Sequence, residues 1–240
     1  CEGGGGSPRA AATPVAVKVV PKGSQATSEA CIMREVSNLK LLSHEHIVKV
    51  MDVIDVVDAT YIVMQRVDGP ELTDFIEMQR LRRIPAPVAR VFCCHLLSAL
   101  RHAHSRGLIH CDVKPPNVRL NAQCDKAVLT DWGLARAVRT TTEPVRCGTA
   151  LYASPEQLTG YDPDSVCGAA CCLTEAVDVW GLGATLFEML AGEPPFCGRT
   201  ADDLVRNVLG LRYRLPAHAP AGARALLASI FQLAPLERAS

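Results

Sequence analysis

The residues of this sequence best suited to chemistry lie between Ile109 and Asn117. In this segment a carboxylate at Asp112 is followed by an ammonium at Lys114 and an amide at Asn117, and a second carboxylate, Asp131, comes later in the chain. Phosphoryl transfer requires a base that orients a hydroxyl, a cation for the moving phosphoryl group and oxygen ligands for magnesium. The spacing therefore predicts phosphoryl transfer, with Asp112 and Lys114 as catalytic residues and Asn117 and Asp131 as metal ligands.

The length, composition and charge of the chain indicate an ordinary globular protein. Its 240 residues can form one compact domain or two lobes that share a cleft, and 48% of them are apolar. The 25 basic and 25 acidic residues cancel, which predicts neither nucleic acid nor a membrane surface as a partner. Because the sequence has no long apolar run and no leader-like start, we expect a cytoplasmic or nuclear location.

The 11 cysteines are scattered along the chain. This distribution is typical of reduced thiols and not of a disulfide framework. Cys167, Cys171 and Cys172 leave a zinc site open as an alternative, although no fourth ligand lies at a suitable spacing. Metal binding is therefore expected at Asn117 and Asp131 instead.

Predicted strands dominate the first part of the chain and predicted helices the rest. β-Branched and apolar patterns predict strands at 14–20, 47–57 and 61–67, with a helix at 28–42 between the first two. On that helix Glu35 shares a face with apolar residues, so its carboxylate requires a cationic partner. After the breaker at 68–70, helical patterns follow at 71–79, 87–106, 177–190, 201–208 and 221–233. The sequence thus predicts an α+β protein.

A short hairpin is predicted to hold the two loops that carry the chemistry. Strands at 118–120 and 127–130 flank a turn at 121–125. The first strand follows Asn117 directly and the second leads into Asp131, so one small sheet positions both loops. Residues 134–156 are rich in Thr, Arg and Pro and predict a long functional loop.

Further sequence features occur with these residues in a definite order. In chain order the whole series is Val15-Ala16-Val17-Lys18, Glu35, His110-Cys111-Asp112 with Asn117, Asp131-Trp132-Gly133, Gly148-Thr149, Ser154-Pro155-Glu156, Asp178 to Gly183, Gly192 to Phe196, and Arg238. This series resembles the eukaryotic protein kinase family over nearly the whole chain. In such folds the late arginine, here Arg238, pairs with the glutamate that stands here at 156.

The resemblance implies a bilobal protein-kinase-like fold, with residues 1–67 as a small β-rich N-lobe and residues 68–240 as a larger helical C-lobe. ATP would bind between the lobes, with Gln65 to Val67 as hinge and Met64 at its entrance. Lys114 is similar to the serine/threonine class, and the segment 34–76 is most similar to the calcium/calmodulin-dependent and AMP-activated kinase group. The implied activity is transfer of the γ-phosphoryl group of ATP to Ser or Thr hydroxyls of protein substrates, with regulatory proteins as further partners.

On the nucleotide side, the resemblance implies that Lys18 holds the α- and β-phosphates and that Glu35 orients Lys18. Mg2+ would lie between Asn117, Asp131 and the phosphates. Glu71 would contact the ribose, and a solvated carboxylate at a helix start is the alternative for this residue. The residues expected to bind ATP are Gly3, Gly4, Gly6, Ala16, Lys18, Glu35, Met64, Gln65, Val67, Glu71 and Arg119.

The glycine-rich start departs from the family pattern. The run Cys1 to Gly6 matches the family's loop only if Cys1 takes the place of the first glycine, and Pro8 stands where the family has a valine over the adenine. The first strand of the N-lobe is therefore expected to be missing, with a sheet edge left exposed.

Two further departures lie near the predicted site. Arg119 stands where the family has an aliphatic floor under the adenine, and its guanidinium must find partners of its own. Cys111 replaces the arginine that reads a phosphorylated activation loop, so such phosphorylation is not expected to switch the protein, with Arg136, Arg139 and Arg146 as the alternative cations for that role. These departures keep a second hypothesis open, a non-catalytic kinase-like scaffold that acts by docking. The retained ionic residues favour the enzyme.

Overall fold

The computed structural model describes residues 13–22, 36–37, 39–137, 150–159 and 173–239. In these residues a small antiparallel sheet precedes a mainly helical part, which confirms the predicted α+β fold class. The expected absence of a first strand concerns residues 1–12, which lie outside the described residues. The boundary placed between residues 67 and 68 stays a prediction.

Three strands form the sheet of the N-terminal part. They are β1 (Val15–Pro21), β2 (Val50–Asp55) and β3 (Ala59–Gln65), and β3 pairs with both of the others. Along β1 the side chains alternate, so that Ala16, Lys18 and Val20 are less exposed than Val17 and Val19. The alternation places Lys18 on the inner face of the sheet.

The second strand is shorter than its apolar pattern predicts. The backbone N–H of Ile47 donates to the carbonyl of His44, and Ile47 forms an isolated parallel bridge with Leu129. Residues 47–49 therefore connect the sheet to the helical part, and the antiparallel ladder begins at Val50. The helix predicted at 28–42 is described only near its end, where residues 36, 37, 39 and 40 are helical.

Six helices and four further strands make up the described helical part. The helices are α1 (Leu72–Met78), α2 (Ala86–His104), α3 (Pro155–Thr159), α4 (Ala176–Ala191), α5 (Ala201–Leu209) and α6 (Ala221–Ile230). The strands are β4 (Leu108–Ile109), β5 (Val118–Leu120), β6 (Ala127–Leu129) and β7 (Arg136–Ala137), paired as β4 with β7 and β5 with β6. None of these described helices is long and apolar enough to cross a membrane.

Helix α4 is the centre of the helical part. Nearly all of its side chains are buried, which is why its sequence is apolar all round. Trp180 on this helix stacks on Phe196 at 5.5 Å and meets Phe231 edge-on at 5.0 Å between ring centroids. Helix α2 packs along α4, so the loop that follows α2 lies directly against the core.

Gly181 allows α4 to approach the loop after β4 closely. A Cβ atom at this position would lie 2.8 Å from the carbonyl oxygen of Val113. We expect Gly181→Ala to lower the free energy of unfolding by about 1–3 kcal/mol, since backbone must move. Gly222 on α6 is the matched control, because a Cβ atom there would meet no atom of a neighbouring element within 4 Å. Gly222→Ala should raise the free energy of unfolding by up to about 1 kcal/mol, because alanine favours a helix more than glycine does. Urea titrations of both variants measure these changes, and equal effects of the two variants would contradict the packing argument.

Four histidine rings lie in a row where the sheet part meets helix α2. The ring centroids of His102 and His44 are 5.0 Å apart, those of His44 and His46 are 5.5 Å apart, and His46 stacks on His95 at 4.0 Å. Three rings accept a hydrogen bond at Nδ1: His44 from the N–H of His46, His95 from the N–H of Ala127, and His102 from the guanidinium of Arg106. These three rings are therefore neutral, because a protonated imidazole has no acceptor.

Burial, followed by neighbouring positive groups, lowers the pKa of His44, His95 and His102. The charged groups that face the row are Glu45, Arg106, Asp125 and Lys126. A histidine pKa that is lower in the folded state stabilises the protein above the unfolded pKa of about 6.5, and this stability is lost as pH falls.

We expect the free energy of unfolding to fall between pH 7 and pH 5, and His44→Asn to flatten this dependence. Asparagine keeps a polar group at the centre of the row but does not titrate. Urea unfolding at a series of pH values measures the slope, and His218→Asn, outside the row, is the control. A slope unchanged in His44→Asn would contradict this account.

Candidate active site

A cleft of about 630 Å³ lies between the sheet and the helical part. This volume suits a small-molecule ligand the size of a nucleotide. Its apolar lining is Val15, Ala16, Leu39, Val48, Met64, Val67, Pro116 and Trp132, and its polar lining is Lys18, Gln65, Arg66, Glu71, Asn117, Arg119, Thr130 and Asp131. The cleft therefore collects residues from β1, β3, the connector after β3 and the β5–β6 hairpin.

The loop between β4 and β5 holds the predicted catalytic residues together. Lys114 Nζ lies 2.7 Å from Asp112 Oδ2, and Asn117 Nδ2 donates to the same oxygen at 2.9 Å and to the Asp112 carbonyl at 2.8 Å. Pro115 and Pro116 begin a 3-10 turn that ends at Asn117. The prolines fix φ there, so the amide is brought back towards the carboxylate. The structure thus brings together Asp112, Lys114 and Asn117.

Asp178 anchors the start of this loop to the centre of the core. One of its oxygens accepts the backbone N–H of His110 and the imidazole Nε2 of His104, and the other accepts the N–H of Cys111, all at 2.8 Å. Cys111 has φ of 67°, in the left-handed region of backbone conformation. This conformation is unfavourable for a residue other than glycine. The Gln157 amide also donates to the Cys111 carbonyl at 2.9 Å. These bonds hold the backbone turn that presents Asp112.

The imidazole of His110 links this loop to the loop that carries Asp131. His110 Nδ1 accepts the N–H of Asp112 at 3.2 Å, so Nε2 carries the proton and donates to the Thr130 carbonyl at 3.0 Å. The ring also packs edge-on against Trp132 at 4.6 Å. His110 is fully buried and acts as a spacer between the two loops.

Lys18 reaches across the cleft to Asp131. The distance from Nζ to Oδ1 is 2.8 Å, and the side chains are 35% and 51% exposed, respectively. Burial works to raise the pKa of Asp131, but the hydrogen bond and charge of Lys18 outweigh it and lower that pKa. Asp131 has φ of 53°, which turns its carboxylate out of the hairpin into the cleft. A charged carboxylate and a cation therefore face the same space.

The remaining predicted nucleotide residues divide into two sets. Ala16, Met64, Gln65, Val67, Glu71 and Arg119 all line the cleft. Gly3, Gly4, Gly6 and Glu35 lie outside the described residues, so the pairing of Lys18 with Glu35 stays a prediction. Arg119 donates to the carbonyl of Gly69 at 2.9 Å and lies 3.4 Å from Glu71 Oε1.

The predicted pair of Arg238 and Glu156 is present and buried. The two guanidinium Nη atoms lie 2.6 and 2.7 Å from the two carboxylate oxygens, and the guanidinium packs over the Trp180 ring at 5.0 Å. Both side chains are almost completely buried, at 1% and 4% exposure. This pair ties the end of the long loop, at α3, to the C-terminal part of the chain.

Three residues that shape the site were given no role in it from the sequence. Thr130 donates its hydroxyl to the Asn117 carbonyl at 2.9 Å and lines the cleft. Gln157 holds the Cys111 carbonyl, and Asp178 holds the loop as described above. Asp178 carried a signal, since a charged residue in an otherwise apolar helical segment requires a buried partner.

The donor set of the cleft fits a hard divalent cation. The amide nitrogen of Asn117 is engaged with Asp112, so its oxygen is the atom left for a cation, and Asp131 adds a charged carboxylate. Magnesium prefers one or two protein oxygens together with water and phosphate oxygens. Asn117 and Asp131 supply two such protein oxygens. Among the described residues no group of three or more His, Cys, Asp or Glu side chains could hold a metal ion.

Comparison with known proteins gives consistent matches. The family model described as protein kinase domain matches residues 6–240. The rat (Rattus norvegicus) SNF-related serine/threonine-protein kinase is 29% identical over 228 residues, which cover 94% of this chain and 29% of that protein. The CBL-interacting protein kinase 30 of Oryza sativa subsp. japonica is 35% identical over 237 residues, covering 93% of this chain and 46% of that protein.

A third relative is the CBL-interacting serine/threonine-protein kinase 21 of Arabidopsis thaliana, 33% identical over 231 residues, with 94% of this chain and 52% of that protein covered. The chain thus spans about half or less of the length of these curated relatives. The names of the rat and Arabidopsis relatives state the predicted serine/threonine class, and the SNF-related and CBL-interacting names are consistent with the predicted group. Since the family model covers nearly the whole sequence and Lys18, Asn117 and Asp131 line one cleft, this chain belongs to the protein kinase family.

Proposed function

We propose that this chain transfers the γ-phosphoryl group of ATP to Ser or Thr hydroxyls of protein substrates. The observation that carries the proposal is the arrangement of two charged pairs around the same metal-binding residues. Lys18 contacts Asp131 in the lining of the cleft, and the Asp112–Lys114 pair is hydrogen-bonded to Asn117, which also lines the cleft. Phosphoryl transfer asks a protein mainly for positioning and for charge stabilisation, and these pairs supply both.

Each residue is assigned one action in this proposal. The Asp112 carboxylate accepts the hydrogen bond of the substrate hydroxyl and holds that oxygen in line with the phosphorus. Lys114, already 2.7 Å from Asp112, donates to the group in transfer and reduces its negative charge. Lys18 holds the phosphates on the opposite side of the cleft. Thr130 keeps Asn117 in place through the Asn117 carbonyl.

Mg2+, when bound with ATP, would supply charge neutralisation between the phosphate oxygens. Asn117 and Asp131 are the residues proposed to hold it. The low pKa of Asp131 keeps this carboxylate charged at neutral pH, as a cation ligand must be.

A thermal-shift titration on the full chain tests nucleotide binding. Mg-ATP at 100 times its dissociation constant should add about 2.7 kcal/mol of stability. For a chain of this length this corresponds to about 5–11 °C in the melting temperature. Asp131→Asn should lose most of the shift, and ATP with a chelator should give a smaller shift than Mg-ATP. Absence of any shift at millimolar nucleotide would favour the kinase-like scaffold, for which Arg119 in the cleft floor is the specific structural argument.

Incorporation of labelled phosphate into a mixed library of Ser- and Thr-containing peptides tests turnover. Hydrolysis of the labelled peptides shows whether phosphoserine or phosphothreonine carries the label. The same library with Ser and Thr replaced by Ala is the matched control. Labelling that persists on the Ala library would contradict the proposed acceptor.

Regulation by a second protein is proposed on likeness alone. Two of the relatives are named for interaction with CBL proteins, and the chain is shorter than each relative. We propose that a protein partner regulates this chain as well, in the cytoplasm or nucleus. Co-purification of tagged full-length protein with and without Mg-ATP would test for such a partner.

A further inference from the structure

The positively charged guanidinium of Arg119 forms part of the cleft lining. Arg119 lies in the middle of β5, between Val118 and Leu120, whose side chains are fully buried. Because side chains alternate along a strand, the side chain of Arg119 is turned to the opposite face, where it lines the cleft. Its side chain is 40% exposed, so the guanidinium is in contact with solvent as well as with the cleft.

Two groups at the end of the hinge hold this guanidinium. The carbonyl of Gly69 accepts one hydrogen bond at 2.9 Å, and Glu71 Oε1 lies 3.4 Å from the other terminal nitrogen. An isolated β-bridge between Glu71 and Arg119 fixes the backbones beside each other. A guanidinium has five N–H donors, and these contacts engage two of them. Donors therefore remain for a molecule that enters the cleft.

The contact with Glu71 does not remove Arg119 from the cleft. The distance between Arg119 Nη1 and Glu71 Oε1 is 3.4 Å and the two side chains are 40% and 41% exposed, so the ionic interaction between them is weak. A base that enters the cleft therefore meets a guanidinium that is balanced in charge but still hydrated. The cleft lining also includes the apolar side chains of Ala16, Val48, Met64 and Val67.

A charged floor changes how the cleft distinguishes one base from another. An apolar slot rejects a base whose polar edge it leaves buried without a partner. A guanidinium that lies parallel to a base stacks on any base, and one that meets the base edge-on can donate to the O6 and N7 acceptors of guanine. A hydrated guanidinium in the cleft therefore lowers the free-energy cost of binding guanine, which an aliphatic side chain at this position would raise.

We propose that Arg119 broadens the nucleotide specificity of this cleft, so that it accepts guanine as well as adenine nucleoside triphosphates. The inference rests on the proposed function, because it concerns the donor of the phosphoryl group at the same site. In this account Arg119 determines specificity, and Glu71 offsets its charge.

Dissociation constants for Mg-ATP and Mg-GTP, measured by calorimetry on the full chain, test the inference. In the native protein the two constants should agree within about fivefold. Arg119→Leu restores an aliphatic floor and should tighten Mg-ATP about tenfold or more while changing Mg-GTP by less than about threefold. The ratio of the two constants should therefore rise by about tenfold.

Three further variants separate specificity from charge and folding. Arg206→Leu removes the same charge outside the cleft, where Arg206 pairs with Asp203 at 3.0 Å, and should leave the ratio unchanged. Arg119→Leu combined with Glu71→Gln removes both charges of the pair and should give the same ratio as Arg119→Leu alone. Arg119→Lys keeps the charge without the planar group, so it should weaken Mg-GTP relative to Mg-ATP.

The outcomes are distinguishable. A native protein that prefers Mg-ATP more than about 30-fold, or an Arg119→Leu variant that shifts both nucleotides equally, would overturn the inference and leave the proposed function intact. The same change of ratio in Arg206→Leu would also overturn it. If the native protein and all variants bind neither nucleotide while melting cooperatively, both the inference and the proposed function fail.

Discussion

Asp112→Asn is expected to lower the rate of phosphate transfer about 1,000-fold or more. The amide oxygen of asparagine can still accept the hydrogen bond from Asn117, which lies 2.9 Å from Asp112 Oδ2, so the loop keeps its conformation. The amide carries no charge, however, and it cannot orient and polarise a hydroxyl as the carboxylate does. The loss therefore falls on turnover, and nucleotide binding changes little.

Asp125→Asn is a matched control for this experiment. Asp125 also accepts a hydrogen bond from an asparagine amide, that of Asn121 at 2.7 Å, but it lies exposed in the turn of the β5–β6 hairpin. Initial rates of peptide phosphorylation, with Mg-ATP affinity measured beside them, compare the two variants. A drop of less than about tenfold in Asp112→Asn would remove Asp112 from the assigned role.

Arg238→Ala is expected to destabilise the fold by about 3–5 kcal/mol, the largest change in stability anticipated for a single substitution here. The substitution leaves the Glu156 carboxylate buried without its bidentate partner. It also removes hydrogen bonds to the carbonyls of Gln232, Leu233 and Ala176, and the packing over Trp180. The long loop would then lose its attachment to the core at α3.

Arg206→Ala provides the control, because Arg206 pairs with Asp203 on the surface at 3.0 Å with its side chain 64% exposed. Its effect should stay within about 0.5 kcal/mol. Chemical denaturation followed by tryptophan fluorescence reports both variants, since Trp180 lies beside Arg238. Equal midpoints for the two variants would show that the buried pair does not hold the loop.

The parts of the site that the sequence predicts are those encoded within a few residues of each other. The hairpin at β5 and β6 is predictable because its strands are apolar and its turn contains Asn121 and Asp125, whose polar groups close the turn through local hydrogen bonds. The Lys18 strand is predictable in the same way from its β-branched alternation. Local patterns therefore determine the loops and the strand that carry the charges.

The parts that the sequence does not predict depend on residues far apart in the chain. Strands β4 and β7 have two residues each, too few for a periodic pattern, and they form because Leu108 and Ala137 are brought together by the fold. The bonds from Asp178 to the loop at 110–111 join residues separated by nearly 70 positions. The partners of Arg119 are required by its charge, but nothing in the spacing identifies the Gly69 carbonyl and Glu71.

The attachment of the loop at 110–111 to Asp178 determines when that loop can open. Asp178 is 1% exposed and lies on α4, whose apolar side chains belong to the main apolar cluster of the described residues. Segments whose hydrogen bonds end in such a core open only when the molecule as a whole transiently unfolds. The conformation of the loop that carries Asp112 and the folded state consequently share one lifetime, whereas the exposed ends of the cleft can fluctuate many times within it.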